Sequence, residues 1–390
     1  SALRDLFGLS TATGAIAIDA RASWGAAALK ISSRTFTTGQ AGTYGQFVPG
    51  EERDAGATTL YLTGVESTAA FRTNVGIVNT SQSWRQVRLT LLDGTGQALA
   101  VRDETVAPSS FQQQAVVAMF PAITGQSREG MSLRVTADGS GIRSYASVVD
   151  NLSHDPVFVT ASAPAADHDL TVPAIGRTAG AAGTYWRSDV SIFNPHGSAM
   201  TLALRYLPSG SDNRWAGARS VSIAAGRTVV LRDVLSWFGI STGTGALRIT
   251  WSGTAAGPVV TTRTFTTRAD GGTLGQSMEA IQESQFAPRA AVVGSKSDGG
   301  YRTNIGLVNG DDASATAWVS VTSPAGALLG RAPVALEPRS QVQLSLAALF
   351  PHLSGAIGDF VVRAEGGSKL FLYTSVVDNI SGDPLYIAGN

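Results

Sequence analysis

The 390 residues carry 29 basic and 29 acidic side chains, a formal net charge of zero, with 43% hydrophobic content and no cysteine. That balance excludes the basic surface needed for nucleic acid or an anionic membrane, and the missing cysteine excludes disulfides and thiolate-held metals. No apolar run approaches the roughly 18 residues of a membrane-spanning helix, and charged residues, at 15%, are scarce enough for a surface that packs against copies of itself.

Leu3-Arg4-Asp5-Leu6-Phe7-Gly8 opens the chain as a short helical turn stopped by glycine. Its Arg4-Asp5 pair interrupts any apolar segment, so it does not read as a secretion signal. Ser33-Arg34-Thr35-Phe36-Thr37-Thr38 and Gly42-Thr43-Tyr44-Gly45-Gln46 follow as two strand segments about a glycine turn. Next comes Phe71-Arg72-Thr73-Asn74-Val75-Gly76-Ile77-Val78-Asn79, a phrase that returns at residues 186–194 and 301–309. Its arginines, Arg72, Arg187 and Arg302, are 115 residues apart each time. A fixed period of domain size means tandem copies of one fold.

Within each copy the elements read as β. Residues 89–96, 204–210 and 319–326 are strands running into turns, and 131–136 and 360–364 alternate with a period of two. One short helix, at 116–121, 230–239 and 344–351, ends in proline or glycine. Ser147-Val148-Val149-Asp150-Asn151-Leu152-Ser153-His154-Asp155-Pro156 reads as a strand entering a hairpin loop and recurs at 375–384. The 33–46 segment recurs at 262–276. The copies therefore alternate in flavour, with units at 1–52, 53–164, 165–283 and 284–390. The fold class expected is all-β: tandem antiparallel sandwiches, each with one short helix, in an elongated array.

Leu3-Arg4-Asp5 matches Leu231-Arg232-Asp233, which places the start of the chain inside a copy. About 60 residues of that first copy are then expected ahead of residue 1. Either they are cut away, or a neighbouring subunit completes the half-sandwich by donating strands.

Candidate chemistry is sparse, and the sequence offers no catalytic, cofactor-binding or metal-ligating set. His154, His168, His196 and His352 lie in different units without ligand spacing. No Gly-x-Ser-x-Gly elbow occurs, and the glycine-rich turns lack a Walker lysine. Asp311-Asp312 and the Asp150-to-Asp155 loop lack the alternating series of a calcium loop. Trp24, Trp84, Trp186, Trp215, Trp237, Trp251 and Trp318 raise sugar stacking, but most fall inside strand or helix patterns and read as core. Trp215 is the best exposed candidate. Asn79, Asn151 and Asn379 begin glycosylation sequons, although Asn is also favoured in turns for its backbone. Where one flavour has Asn74 and Ser147, or Asn304 and Ser375, the other has Asp189 and Arg263. That exchange predicts contact across neighbouring strands. Arg34 keeps the arginine without its acid, and is expected to find a carboxylate outside its own unit.

The phrases 71–79 and Gly42-Thr43-Tyr44-Gly45-Gln46-Phe47-Val48-Pro49-Gly50 resemble repeats in large, uncharacterised secreted bacterial proteins, usually regarded as immunoglobulin-like surface modules. The resemblance implies export and an extracellular or cell-surface setting, and carries over no functional residue. The function expected is that of a non-enzymatic structural or adhesive surface protein, self-associating head to tail as a filament subunit. The alternative is an accessory array binding polysaccharide or protein.

Overall fold

The computed structural model describes residues 2–20, 29–39, 42–52, 56–253, 256–353, 355 and 357–389. Unit one contributes a helix, α1 (Ala2–Phe7), and an antiparallel hairpin of β1 (Ser32–Gly39) and β2 (Gly42–Pro49).

Unit two holds β3 (Thr59–Ser67), β4 (Phe71–Asn79), β5 (Arg85–Leu92), β6 (Ala98–Val106) and β7 (Ser110–Ala115). After α2 (Val116–Met119) come β8 (Arg128–Ala137), β9 (Ile142–Asp150) and β10 (Pro156–Thr160). Two four-stranded sheets result, ordered β3-β8-β5-β6 and β10-β9-β4-β7. The period-two pattern of β8 turns Met131, Leu133 and Val135 inward, where they meet Val75 and Ile77 of the opposite sheet. Each such side chain, fully buried, contributes about 1.5–3 kcal/mol.

Unit three repeats the plan with β11 (Asp169–Ala179), β12 (Tyr185–Phe193), β13 (Met200–Pro208), β14 (Ala218–Ile223) and β15 (Thr228–Leu231). Its α3 (Val234–Trp237) precedes β16 (Gly243–Trp251), β17 (Val259–Thr267), β18 (Thr273–Glu279) and β19 (Ile281–Gln282); here β11 pairs with both β16 and β12, so the two layers are joined into one nine-stranded sheet. Unit four has β20 (Ala287–Ser297), β21 (Tyr301–Asn309), β22 (Ala315–Thr322), β23 (Leu328–Leu336) and β24 (Gln341–Ser345). Past α4 (Leu346–Leu349), one long strand, β25 (Gly358–Asp378), serves both sheets before β26 (Pro384–Ala388). Its first part pairs with β20 and β22, its second with β21 and β26. The expected short helices all form, including α1 at the start of the chain.

The recurring phrase occupies β4, most of β12 and β21, the centre of one sheet in each unit. Its exchanged residues are register partners: Asn74 faces Ser147, Asn304 faces Ser375 and Asp189 faces Arg263. The last of these is not an ion pair, however. Asp189 is bound by Arg232 Nη1 at 3.0 Å and by the Asp233 N–H at 2.7 Å.

Tandem sandwiches are present as expected, but they do not run out as an elongated row. β2 lies against β10, β10 against β18, β18 against β26, and β26 against β2. The last strands of the four units thus encircle a common axis, and the first hairpin closes on the final unit. The reason is in the loops, which carry bonding groups that only a neighbouring unit can satisfy.

Candidate functional site at the junctions between units

Two kinds of junction alternate around the axis. In the first, between units two and three, the loop after β9 grips the turn of the β17–β18 hairpin. Asp150 Oδ1 accepts from the N–H groups of Leu152 and Ser153, 2.8 Å each, which shapes the loop. Its Oδ2 accepts from the Thr273 N–H at 2.9 Å and from Thr273 Oγ1 at 2.7 Å. Ser153 Oγ donates to the Thr273 carbonyl at 2.6 Å, and Asp155 Oδ2 accepts from the Gly275 N–H at 2.7 Å.

Units four and one repeat this junction. Thr43 N and Oγ1 donate to Asp378 Oδ2 at 3.0 and 2.6 Å, Ser381 Oγ donates to the Thr43 carbonyl at 2.8 Å, and the Gly45 N–H meets Asp383 Oδ2 at 2.9 Å. Gly42 is required there: its φ is +96°, and a Cβ would come within 2.7 Å of the Ser381 nitrogen. Burial pushes the Asp150 and Asp378 carboxyls up. The hydrogen bonds from Thr273 and Thr43 and from the loop N–H groups outweigh it and hold both below the usual carboxylate range.

The second kind of junction joins units one and two, and units three and four. Ser147 Oγ donates to Gln46 Oε1 at 2.8 Å, and Ser375 Oγ to Gln276 Oε1 at 3.0 Å. Apolar contacts reinforce both kinds. Tyr61 packs at a tilt against Phe193, with ring centroids 5.2 Å apart, between units two and three. Met278, Ile281, Phe371 and Tyr386 cluster between units three and four, and Phe47 packs on the core of unit four.

The arginine of the recurring phrase supports the gripping loop. Arg72 Nη1 donates to Asn151 Oδ1 at 2.7 Å, and Arg302 Nη1 to Asn379 Oδ1 at 2.9 Å. In unit three the arginine of the phrase, Arg187, donates instead to Thr267 Oγ1 at 3.1 Å, and a second arginine of that flavour lies one strand over. Arg263 stands over the Phe71 and Phe265 rings, 4.9 and 5.0 Å from their centroids. Arg34 does the same with Phe36 and Tyr301, at 4.9 and 5.3 Å. Arg34 does reach a carboxylate outside its unit, Asp383 Oδ2 at 3.7 Å. That acid belongs to the gripping loop of unit four and not to an added strand opposite β1.

Beside the axis the four strands leave a cavity of about 440 Å³, lined by Gln46, Phe47, Phe158, Gln276, Glu279 and Tyr386 among others. Glu51 stands at its rim beside Arg143, 3.5 Å away. Partial burial, and then the charge of Glu279, raise the Glu51 carboxyl.

The remaining sequence candidates are scattered. His154 takes a left-handed loop conformation, His168 packs edge-on against Trp251, His196 meets the Ala256 carbonyl, and His352 the Leu329 carbonyl at 3.2 Å. Among the described residues no group of three or more His, Asp or Glu is arranged to hold a metal. Asp312 is taken by Arg339 at 2.6 Å and Asp311 by Ser368.

The tryptophans need correction. Trp251 is core, but Trp84, in the loop ahead of β5, and Trp318, on the outward face of β22, are exposed. Arg331 covers Trp318 at 4.7 Å. Trp186 and Trp237 are half-buried, Trp215 is 89% exposed, and Trp24 lies outside the described residues. Asn79, first of the sequon residues, is fully buried with its amide committed to three carbonyls. In sequence the Asp150-to-Asp155 stretch reads as a hairpin loop between two strands; in the structure it also grips the next unit. The signal that it does more is the recurrence of Asp150, Asn151, Ser153 and Asp155 as Asp378, Asn379, Ser381 and Asp383.

No family model matches the chain, and no curated protein does. Among solved structures, one titled "Crystal Structure of Thermotoga maritima 1070" aligns with 27% of this chain and 95% of its own, at 14% identity and a TM-score of 0.24. At that score the likeness carries no argument.

Proposed function

We propose that the chain is a structural or adhesive part of an extracellular surface protein, built of immunoglobulin-like sandwiches and working without a catalytic centre. One observation carries this: the polar side chains of the gripping loops, which recur in units two and four, are spent on holding units together. The extracellular setting rests on the resemblance of the repeats to secreted surface modules.

The edge of β1 supports assembly with neighbours. β17 is paired on both sides, with β12 and β18. Its counterpart β1 pairs, among the described residues, with β2 alone. Ile16 and Ile18 are 46% and 50% exposed, whereas the matching Leu247 and Ile249 are fully buried in β16. A strand from a neighbouring subunit would pair that edge and cover those side chains, making the chain a filament subunit. Sedimentation velocity and negative-stain microscopy over a wide concentration range test this. Growing rods or fibres are expected, and one compact species at every concentration would sink the filament.

A second role, binding a polysaccharide or protein ligand, is favoured by the exposure of Trp215. Affinity electrophoresis in plant and bacterial polysaccharides should then show retardation that Trp215→Ala abolishes.

A further inference from the structure

The gripping loops end in two aspartates that meet at the axis. Asp155 and Asp383 are both fully buried, and each gives Oδ2 to a backbone N–H across a junction. Among the described residues, their Oδ1 atoms receive no N–H or hydroxyl. What remains for them is each other, and each carboxyl acts on its counterpart. Two carboxylates are acceptors only, so a hydrogen bond between these buried acids requires a proton on one of them.

We propose that closure of the four units around the axis is a proton-held latch, in which Asp155 and Asp383 keep one shared proton while closed and loosen both gripping junctions when they lose it.

The surroundings neither neutralise the pair nor replace the proton. From β1, Arg34 approaches Asp383 to 3.7 Å, but its guanidinium is also engaged by Tyr301 of β21 and Thr43 of β2. From β17, Arg263 attracts Asp155, while Asp150 at the end of β9 repels it. Asp378, at the end of β25, is held by Thr43. Burial is the largest influence and pushes the Asp155 carboxyl up to about 7, against the pull of the Gly275 N–H. Asp383 is likewise raised, by burial and then by the Asp155 charge. Because the two share a proton, the loss belongs to the pair.

The sign follows. Opening exposes both acids to water, where their pKa returns to about 4. A group with a higher pKa closed than open favours closure fully below about 4, loses that advantage as pH rises, and contributes none above about 7. One proton released on opening corresponds to about a tenfold change in the closing equilibrium per pH unit across that window.

Hydrogen exchange read by mass spectrometry tests the latch on the full chain at several pH values from 5 to 8. Exchange is corrected for its intrinsic pH dependence and followed in peptides covering β2 and β18, with the core strand β21 as internal reference. Protection of β2 and β18 is expected to fall by up to about tenfold per pH unit between 5 and 7 and then level off, with β21 unchanged. Asp155→Asn and Asp383→Asn each supply a permanent donor to the facing carboxylate. Either variant should flatten the profile and be better protected than wild type at pH 8. A wild-type profile level from pH 5 to 8, or an equal slope in either Asn variant, would overturn the latch.

Discussion

Asn79, Asn194 and Asn309 close the recurring phrase in three units, and each does the same work. Asn79 Nδ2 donates to the carbonyls of Ser83, Val106 and Ala107, and its Oδ1 accepts from the Ser81 N–H at 3.0 Å. Asn194 and Asn309 repeat the pattern. One side chain therefore ties two loops to the end of a central strand. Asn79→Ala should cost about 3 kcal/mol in urea unfolding, because it strands buried carbonyls as well as removing bonds. Gly306, three residues earlier in its copy, lies under the Tyr373 ring, whose hydroxyl accepts from Gln341 at 2.7 Å and donates to Gln343 at 3.0 Å. A methyl there would run into the ring, so Gly306→Ala should destabilise unit four by about 1–3 kcal/mol. The residue-level exchanges between flavours were legible as contacts because register partners change together. That Asp189 prefers Arg232 was not, since Arg232 comes from the turn ahead of α3 and no strand pattern points to it.

At the scale of elements, the hairpins and loops divide into holders and held. The loop after β9 and the loop after β25 hold; the turns of the β17–β18 and β1–β2 hairpins are held. The two grips are chemically alike but not equivalent in consequence. Units two and three are joined by the chain itself as well as by the grip, so opening that joint leaves them at high effective concentration. Units four and one meet only through side chains and backbone groups. Asp378→Ala should therefore enlarge the radius of gyration measured by small-angle X-ray scattering, with near-native far-ultraviolet circular dichroism. Asp150→Ala should change that radius less. Equal radii for the two variants would count against the distinction. Strand existence, the short helices and the alternation of flavours were readable from apolar periodicity and turn residues. The holding role was hidden because Asp and Asn are also what an isolated hairpin loop prefers, and only a partner surface separates the two meanings.

For the whole molecule, the period of 115 residues was plain in the arginines, yet it specified neighbours along the chain and not the path the chain takes through space. Closure depends on pairs such as Thr43 with Asp378 and Ser147 with Gln46, which lie hundreds of residues apart or in differently patterned units. The exposed tryptophans belong to the same lesson: aromatic residues in strand patterns identify the strand but not its outward face.

The start of β1 and the end of β26 come to lie side by side. Ser32 and Ile387 both border Gly294 of β20. The order in which the units are written in the gene is then separable from the order in which they stand around the axis. A circular permutant that joins residue 389 to residue 29 through a short glycine-serine bridge, and opens instead in the linker near Ala163, should fold to the same arrangement. It should also melt in one transition no lower than the parent, because the bridge turns the one junction held without a covalent link into a continuous stretch of chain. Scattering curves of permutant and parent that superimpose are the expected outcome. A permutant that is expanded while its sandwiches stay folded would mean that the ends do not meet in solution.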